Sequence, residues 1–322
     1  MNQEVSRPTL STIIVSTNER HVLELGLKSA QAACPAGGGE IIVVDNCSTD
    51  GTLEMLATSY PDVTVVRNSR NLGFAASNNR GIARARGEYI LLLNPDVVVQ
   101  EGALQLCIDF LRRLGSDAII GIKTFFPDGR TQSTIGFFPS VAGMLLRATM
   151  LSGLLPEGWL AGPRGPVRVD LTVDQEVEWV MGSFFMFPRS VIERIGDLDE
   201  RFFMYAEEVD FCMRARDAGI PRWYLTRGGI VHYWGGMSSA KRTTYVWGQR
   251  SQLLLVRKHF KGVKRRLLVA LLYLEVLVRI PGQFLLGCLT LNPARFRKVG
   301  HYASTLTGMG KPWPAAGRGG VG

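Results

Sequence analysis

The sequence predicts an α/β fold on a mostly parallel sheet, and three features predict it. Two apolar runs each stop abruptly at an acid: 41–44 at Asp45-Asn46, and 89–93 at Asn94-Pro95-Asp96. Strand and helix signals alternate from residue 12 to 110, as β-α-β crossovers do. The composition, 46% hydrophobic and 20% charged, supplies a packed core over 322 residues, enough for one large domain or one domain with an appendage.

The elements follow in order. Strand 13–15 ends in Ser16-Thr17-Asn18-Glu19-Arg20, and a helix covers 21–33 before Pro35 and three glycines break the chain. Strand 41–44 leads to Ser48-Thr49-Asp50-Gly51-Thr52, a polar turn that caps a helix to about residue 59. Strand 63–66 follows. Asn71-Leu72-Gly73-Phe74 is a turn entering a helix at 78–85, where Gly73 would allow close approach of a ligand and the helix start would favour a diphosphate. Strand 89–93 closes this half. Residues 125–175, rich in Gly and Pro, read as a loop or hairpin region over the site. A strand at 178–187 breaks at Gly182, and helices at 190–195 and 207–218 precede strands 221–225 and 229–232.

Ligands of open α/β sheets bind outside the carboxyl ends of the strands. A lone Asp there is equally well a turn or N-cap residue; the pair Asp45 and Asp96 points to a nucleotide or metal pocket. Glu207, Glu208 and Asp210 open a helix behind the aromatic stretch 202–205. Acids at a helix start favour its dipole, yet apolar neighbours also raise a carboxyl pKa and suit it to general-base work. Glu207 and Asp210, three apart, share a face, and Glu208 points elsewhere. His232 ends an apolar strand. A lone His is commonly structural, but with an Asp nearby it suits Mn²⁺ or a similar ion.

The net charge of +9 is segregated: residues 241–322 carry +14, with Glu275 their one acid, which leaves about −5 on the first 240. Such asymmetry asks for an anionic partner. The tail reads as interfacial helices, Lys and Arg at lipid headgroups and Leu in the acyl boundary. Its longest charge-free apolar run, 267–274, is far short of the roughly 20 residues of a spanning helix, and Pro281 interrupts the tail after the apolar segment 267–280. The other account packs a helical pair on the catalytic domain or on a second copy of the chain, a homo-oligomer. Nucleic acid is excluded as the partner, because the basic residues lack interleaved aromatics. The five cysteines are scattered without metal or disulfide spacing and no secretory signal is visible, which fits a reducing, cytoplasmic setting.

Six segments taken together resemble glycosyltransferase family 2, the inverting GT-A enzymes: Ile13-Ile-Val-Ser-Thr-Asn-Glu-Arg20, Val43-Val-Asp-Asn-Cys-Ser-Thr-Asp-Gly-Thr52, Asn71-Leu-Gly-Phe-Ala-Ala-Ser-Asn78, Gly87-Glu-Tyr-Ile-Leu-Leu-Leu-Asn-Pro-Asp96, 196–210 and Val231-His232. The Asn-Pro-Asp form is most similar to the rhamnosyltransferase-like subgroup. The resemblance implies a GT-A, Rossmann-like mixed sheet with carboxyl-terminal amphipathic helices. It covers roughly 10–240 and implies a catalytic domain at 1–240 (nucleotide half 10–110, acceptor half 111–240), while charge and composition give a basic membrane-associating region at 241–310 and a disordered end at 311–322.

The resemblance also assigns roles. Thr17, Asn18 and Glu19 would border the nucleotide and Asp45 would bind its base. Gly73 and Asn78 would line the pocket. Asn94 and Asp96 stand at the Asp-x-Asp position, with Asp96 and His232 on a divalent metal, Mg²⁺ or Mn²⁺. Glu208 inherits the base, with Asp210 as fallback. The implied donor is dTDP-rhamnose or a UDP-sugar, and the implied acceptor is a cell-surface glycan or polyprenyl-linked saccharide at the inner face of the cell membrane. Two other functions stay open: a non-catalytic nucleotide-sugar-binding or scaffold protein of this fold, and a nucleotidyltransferase. The last wants a Gly-rich basic loop after the first strand, and Ser16-Thr17-Asn18-Glu19-Arg20 is not one.

Overall fold

The computed structural model describes residues 7–156, 158–233 and 241–310. The expectation of a disordered end at 311–322 lies outside them. The first half runs β1 (Leu10–Ser16), α1 (Arg20–Ala32), β2 (Gly39–Asp45), α2 (Thr52–Ser59), β3 (Thr64–Arg67), α3 (Phe74–Ile82), β4 (Tyr89–Leu93), β5 (Val97–Val99), α4 (Ala103–Leu114) and β6 (Ile119–Phe125). The middle holds β7 (Thr131–Gln132), β8 (Ile135–Gly136), α5 (Val141–Ala148), a 3-10 turn (Leu151–Leu154), β9 (Trp159–Gly162), β10 (Gly165–Arg168), β11 (Gln175–Glu176), β12 (Trp179–Val180) and β13 (Phe184–Pro188). Then come α6 (Arg189–Ile195), α7 (Glu207–Asp217), β14 (Arg222–His232), α8 (Lys241–His259), α9 (Gly262–Thr290) and α10 (Pro293–Gly308).

Among the described residues these strands make a ten-stranded mixed sheet in the order β11-β14-β6-β13-β4-β1-β2-β3, with β5 on β14 and β7 on β6. The chain winds outward from β1 through β2 to β3, then returns to add β4 on the other side of β1. This reversal leaves a crevice at the carboxyl ends of β1 and β4, the usual place for a ligand. Ser16 pairs with Asp45 in register, and Ile14 with Leu93, so the three strand tips lie side by side. β13 runs antiparallel between β4 and β6.

Both faces of the sheet are covered, which is why its central strands read as unbroken apolar runs. Leu10 and Ile14 of β1 point to the side held by α1, α2 and α4, and Ile13 to the side held by α3, α6 and α7. A third core, of Met144, Leu253, Val256, Leu268, Leu272, Val276 and Met309, joins α5 to the carboxyl-terminal helices.

Four differences from the sequence expectations stand out. α4 and β6 fill 103–125, to which no element was assigned, although Ala103, Leu104, Cys107, Ile108 and Leu111 bury one helical face and Gly115 caps it. The region 125–175 does contain a hairpin, β9–β10, but also α5, whose amino end is capped by Ser140 Oγ accepting from Gly143 N. The strands expected at 221–225 and 229–232 are one strand, β14, irregular between Leu225 and Ile230, where Gly228 has φ 76°. Lastly, α9 runs straight through Pro281. Pro281 and Leu277, four residues back, are both exposed, so the missing N–H bond falls on the outer face of the helix.

Candidate active site

The nucleotide side is built from the loops after β1 and β2. Asn18, at φ 54°, donates its backbone N–H to Ser48 Oγ (3.0 Å) and accepts from Thr49 N through its side chain (2.7 Å). Asp50 accepts from Arg20 N and caps α2 through Thr52. These bonds staple the loops to each other. Asp45 is 2% exposed; one oxygen accepts from Ser48 N at 3.3 Å, and Oδ1 is buried with no partner. Ser16 Oγ is a second orphan beside it. Buried acceptors without donors are costly, so the strand tips are poised for a ligand that donates. Thr17 and Glu19 lie half-buried between β1 and α1. Burial, followed by the nearby charge of Asp96, raises the Glu19 carboxyl to about 7.

Two residues expected to line the nucleotide pocket meet the chain itself. Gly73 has φ 82°, and a Cβ there would lie 2.2 Å from the Phe203 carbonyl oxygen, which accepts from Phe74 N at 2.7 Å. The glycine is required by the loop at 203. Asn78, 1% exposed, turns its amide back onto Phe74 O (3.0 Å) within α3.

The expected metal side is brought together. Asn94 N donates to Ser183 O (3.1 Å) where β4 meets β13. β14 pairs His232 with Val97, which sets its ring against Asp96; Nε2 lies 3.3 Å from Asp96 Oδ1, with both residues nearly buried. His232 Nδ1 faces Gln132 Oε1 at 3.2 Å. If Gln132 accepts there, Nε2 presents a lone pair to the carboxylate, and a cation between them relieves the repulsion. Among the described residues no group of three carboxylate, imidazole or thiol ligands occurs. The donors present still fit a divalent ion that takes one or two protein ligands and fills its shell from phosphate and water.

The acidic side rests on a strained turn. Tyr205 (φ 69°) and Ala206 (φ 64°), both non-glycine, swing the chain into α7. Glu207 and Asp210 turn inward and Glu208 stays half-buried, as their spacing predicts. Burial raises Glu207 well above the carboxylate range, with Glu208 adding to it. Burial likewise lifts Glu208 to about 7, while amides at the helix start pull it partly back. One oxygen of each, Oε2, is buried without a partner. Gly182 connects this side to the last: a Cβ there would touch the Phe74 ring and Glu208 Cβ, and the next residue, Ser183, holds Asn94.

Asp210 sits differently. It is fully buried, with Arg214 Nε at 3.0 Å, Lys258 Nζ at 2.7 Å and His259 Nε2 at 2.7 Å. Burial pushes its pKa up, but the bonds from His259 and Lys258 outweigh that and hold it below the usual range. Lys258 also bridges to Asp199 at 2.6 Å. Lys258 and His259 end α8, which continues along the same loop: Ser251 Oγ donates to Met204 O (2.7 Å), and Trp247 meets Phe203 edge-on at 5.2 Å. Sequence reasoning missed Trp247, Ser251, Lys258 and His259, which lie in the stretch given to the membrane. It also missed Gln132, which no motif marks.

Known proteins identify the family and the fold. The profile described as Glycosyl transferase family 2 matches residues 11–196. N-acetylglucosaminyl-diphospho-decaprenol L-rhamnosyltransferase of Mycobacterium tuberculosis is 30% identical over 211 residues. The match covers 60% of this chain and 66% of the relative, just under two thirds of its length. Rhamnosyltransferase WbbL of Escherichia coli is 25% identical over 170 residues, 50% of this chain and 61% of that protein. Among solved structures, a mannosyltransferase from Pyrobaculum calidifontis in complex with GDP-Man and Mn²⁺ has a TM-score of 0.54 at 14% identity, over 94% of this chain and 86% of that one. At that identity the likeness is one of fold.

Proposed function

The chain belongs to glycosyl transferase family 2 and has the GT-A fold, and from that premise we propose that it is an inverting glycosyltransferase. Its donor would be dTDP-rhamnose or a UDP-sugar, and its acceptor a hydroxyl of a lipid-linked saccharide or cell-surface glycan. The observation that carries this reading is Glu208: a carboxylate raised to about 7, with an unpartnered oxygen, one contact away from the turn that bears Asn94 and Asp96. A base with a pKa near working pH is what proton removal from a sugar hydroxyl needs.

Each residue takes a part. Asp45 Oδ1 would accept the imide N–H of a thymine or uracil, with Thr17, Asn18 and Glu19 along the nucleoside. Gly73 and Asn78 would shape the pocket by holding α3 against the loop at 203. Asp96 and His232 would hold a divalent ion, Mg²⁺ or Mn²⁺, beside Asn94. Bound there, the ion would neutralise charge on the departing diphosphate. Glu208 takes the acceptor proton as the oxygen attacks the anomeric carbon, and one direct displacement inverts that centre. Asp210, with every cation about it engaged, positions α7. The tail would dock on the inner face of the cell membrane, where lipid-linked saccharides lie.

The substitution Glu208→Gln tests this against a non-catalytic nucleotide-sugar-binding protein. Transfer should fall by about 10²–10⁴-fold, while thermal stabilisation by the preferred nucleotide sugar persists. Untouched transfer overturns the base assignment.

A further inference from the structure

Helix α9 is long and apolar enough to cross a bilayer: 29 residues, with an 18-residue window of mean hydropathy 1.6, only 28% of it buried. Its middle is nevertheless tied to the protein. Glu275 is 2% exposed and accepts from Gln249 Nε2 of α8 at 3.3 Å. It also pairs with Arg279 one turn on (3.1 Å) and with Arg147 of α5 (3.4 Å). Charges at the centre of a lone spanning helix are costly; here Arg147 of α5 and Gln249 of α8 face Glu275. Leu268, Leu272 and Val276 of the same face pack on Met144, Leu253 and Val256. α9 therefore lies along the body of the protein.

Its opposite face is largely exposed among the described residues, with Phe284 meeting Phe296 of α10 at 5.8 Å. Leu267, Leu274, Leu277, Phe284, Leu285 and Leu289 are exposed. Beside them α5 and the turn after it expose Val141, Leu145, Met150, Leu151 and Leu154, the last by 80%. The two elements, more than a hundred residues apart in sequence, flank one apolar groove of about 500 Å³ between Val141 and Leu145 on one side and Leu267, Leu271 and Leu274 on the other. Exposed cations stand at its α9 end, where Lys261, Lys264, Arg265 and Arg266 run up to the lining residue Leu267, and Arg297 and Lys298 are exposed on α10. Residues 141–156 contain no acid, and the one acid of 241–310 is the buried Glu275.

We propose that α5, the turn at 151–154 and the outer face of α9 form a single in-plane membrane-docking surface. Its apolar strip enters the acyl boundary of a leaflet rich in anionic lipid, and its basic cluster meets the headgroups. Charge complementarity decides the occupant. An apolar strip that ends in an exposed basic cluster matches a leaflet of anionic headgroups, whereas a second copy of the chain would bring like charge against like. This deepens the reading of the tail as membrane-bound by adding a segment from the catalytic half, and it holds whatever sugar is transferred.

Flotation of the full chain with vesicles tests it, comparing phosphatidylcholine alone with phosphatidylcholine carrying about a third phosphatidylglycerol. The chain should float with the anionic vesicles. Leu151→Asp with Leu154→Asp should cut the bound fraction about tenfold, as should Lys264→Glu with Arg265→Glu. Leu154→Asp alone, at the most exposed position, should give a smaller loss in the same direction if the double variant folds poorly. All variants should keep their thermal stabilisation by a nucleotide sugar; loss of that signal in the unaltered chain, with flotation intact, would count against the donor reading and not against this surface. The proposal is overturned if the unaltered chain does not float, if the Leu151/Leu154 variants float as it does, or if the chain is a dimer that those variants split.

Discussion

α8 and α9 adjoin in sequence and share a basic, apolar composition, yet the fold uses them in opposite ways. α8 buries Leu253, Leu255 and Val256 almost completely, and sends Trp247, Ser251, Lys258 and His259 to the loop and helix that carry Glu208. α9 buries one face and leaves a row of leucines and Phe284 exposed. Composition reports that a segment is amphipathic; which surface it covers depends on what it meets. α8 thus touches both sides of the boundary expected at 240: its Lys258 and Ser251 hold the 199–210 segment, and its Leu253 and Val256 pack with α9 and Met309.

Two truncations would break the comparison most sharply. A chain ending at Phe260 keeps α8, and should retain donor-induced thermal stabilisation while losing flotation. A chain ending at Thr244 loses α8, uncovers the Asp210 cluster and should show no cooperative unfolding transition by circular dichroism. If the shorter chain melts like the longer one, α8 is not part of the catalytic unit.

The next effect is that of Lys258→Met. It removes a cation from two carboxylates, one of them fully buried, and should cost about 3 kcal/mol in urea unfolding. Asp199 and Asp210 both have lowered pKa values in the fold. Their contribution is thus complete above the unfolded carboxylate value, near 4, and is lost as pH falls through the lower folded values. The unaltered chain should lose stability on acidification below about pH 4, and Lys258→Met should flatten that loss.

Glu208 has the opposite sign. Its pKa is raised to about 7, so its ionised form opposes folding: the cost is absent below about 4, grows between there and 7, and is full above. Glu208→Gln should therefore stabilise the protein at pH 8, on the order of 2 kcal/mol, and should make no difference at pH 4. Transfer by the unaltered enzyme should rise with pH through about 7 as Glu208 ionises. The smallest effect sharpens the contrast with Lys258: Lys264→Glu with Arg265→Glu, on exposed positions of α9, should leave the melting temperature unchanged while flotation falls.

Much of the nucleotide side was legible because it is local. An apolar run that stops at an acid places that acid at a strand tip, and Asp45 and Asp96 are where this rule puts them. The inward turn of Glu207 and Asp210, against Glu208, followed from helical spacing. What could not be read depends on partners distant in sequence. Gln132 reaches His232 across 100 residues and Lys258 reaches Asp199 across 59. Gly73 could be read as a close-approach glycine, but not that Phe203 is what approaches.

The sequence by itself determined the parallel half of the sheet, the acids at its edge and the charge asymmetry of the chain, because hydrophobic period, turn residues and charge are properties of neighbouring positions. Only the tertiary structure decided that Asp210 is locked by α8 while Glu208 keeps an unpartnered oxygen, and that α5 joins α9 on one apolar face. Those outcomes follow from which helix covers which surface, and burial and pairing between remote segments leave no periodic trace in the chain.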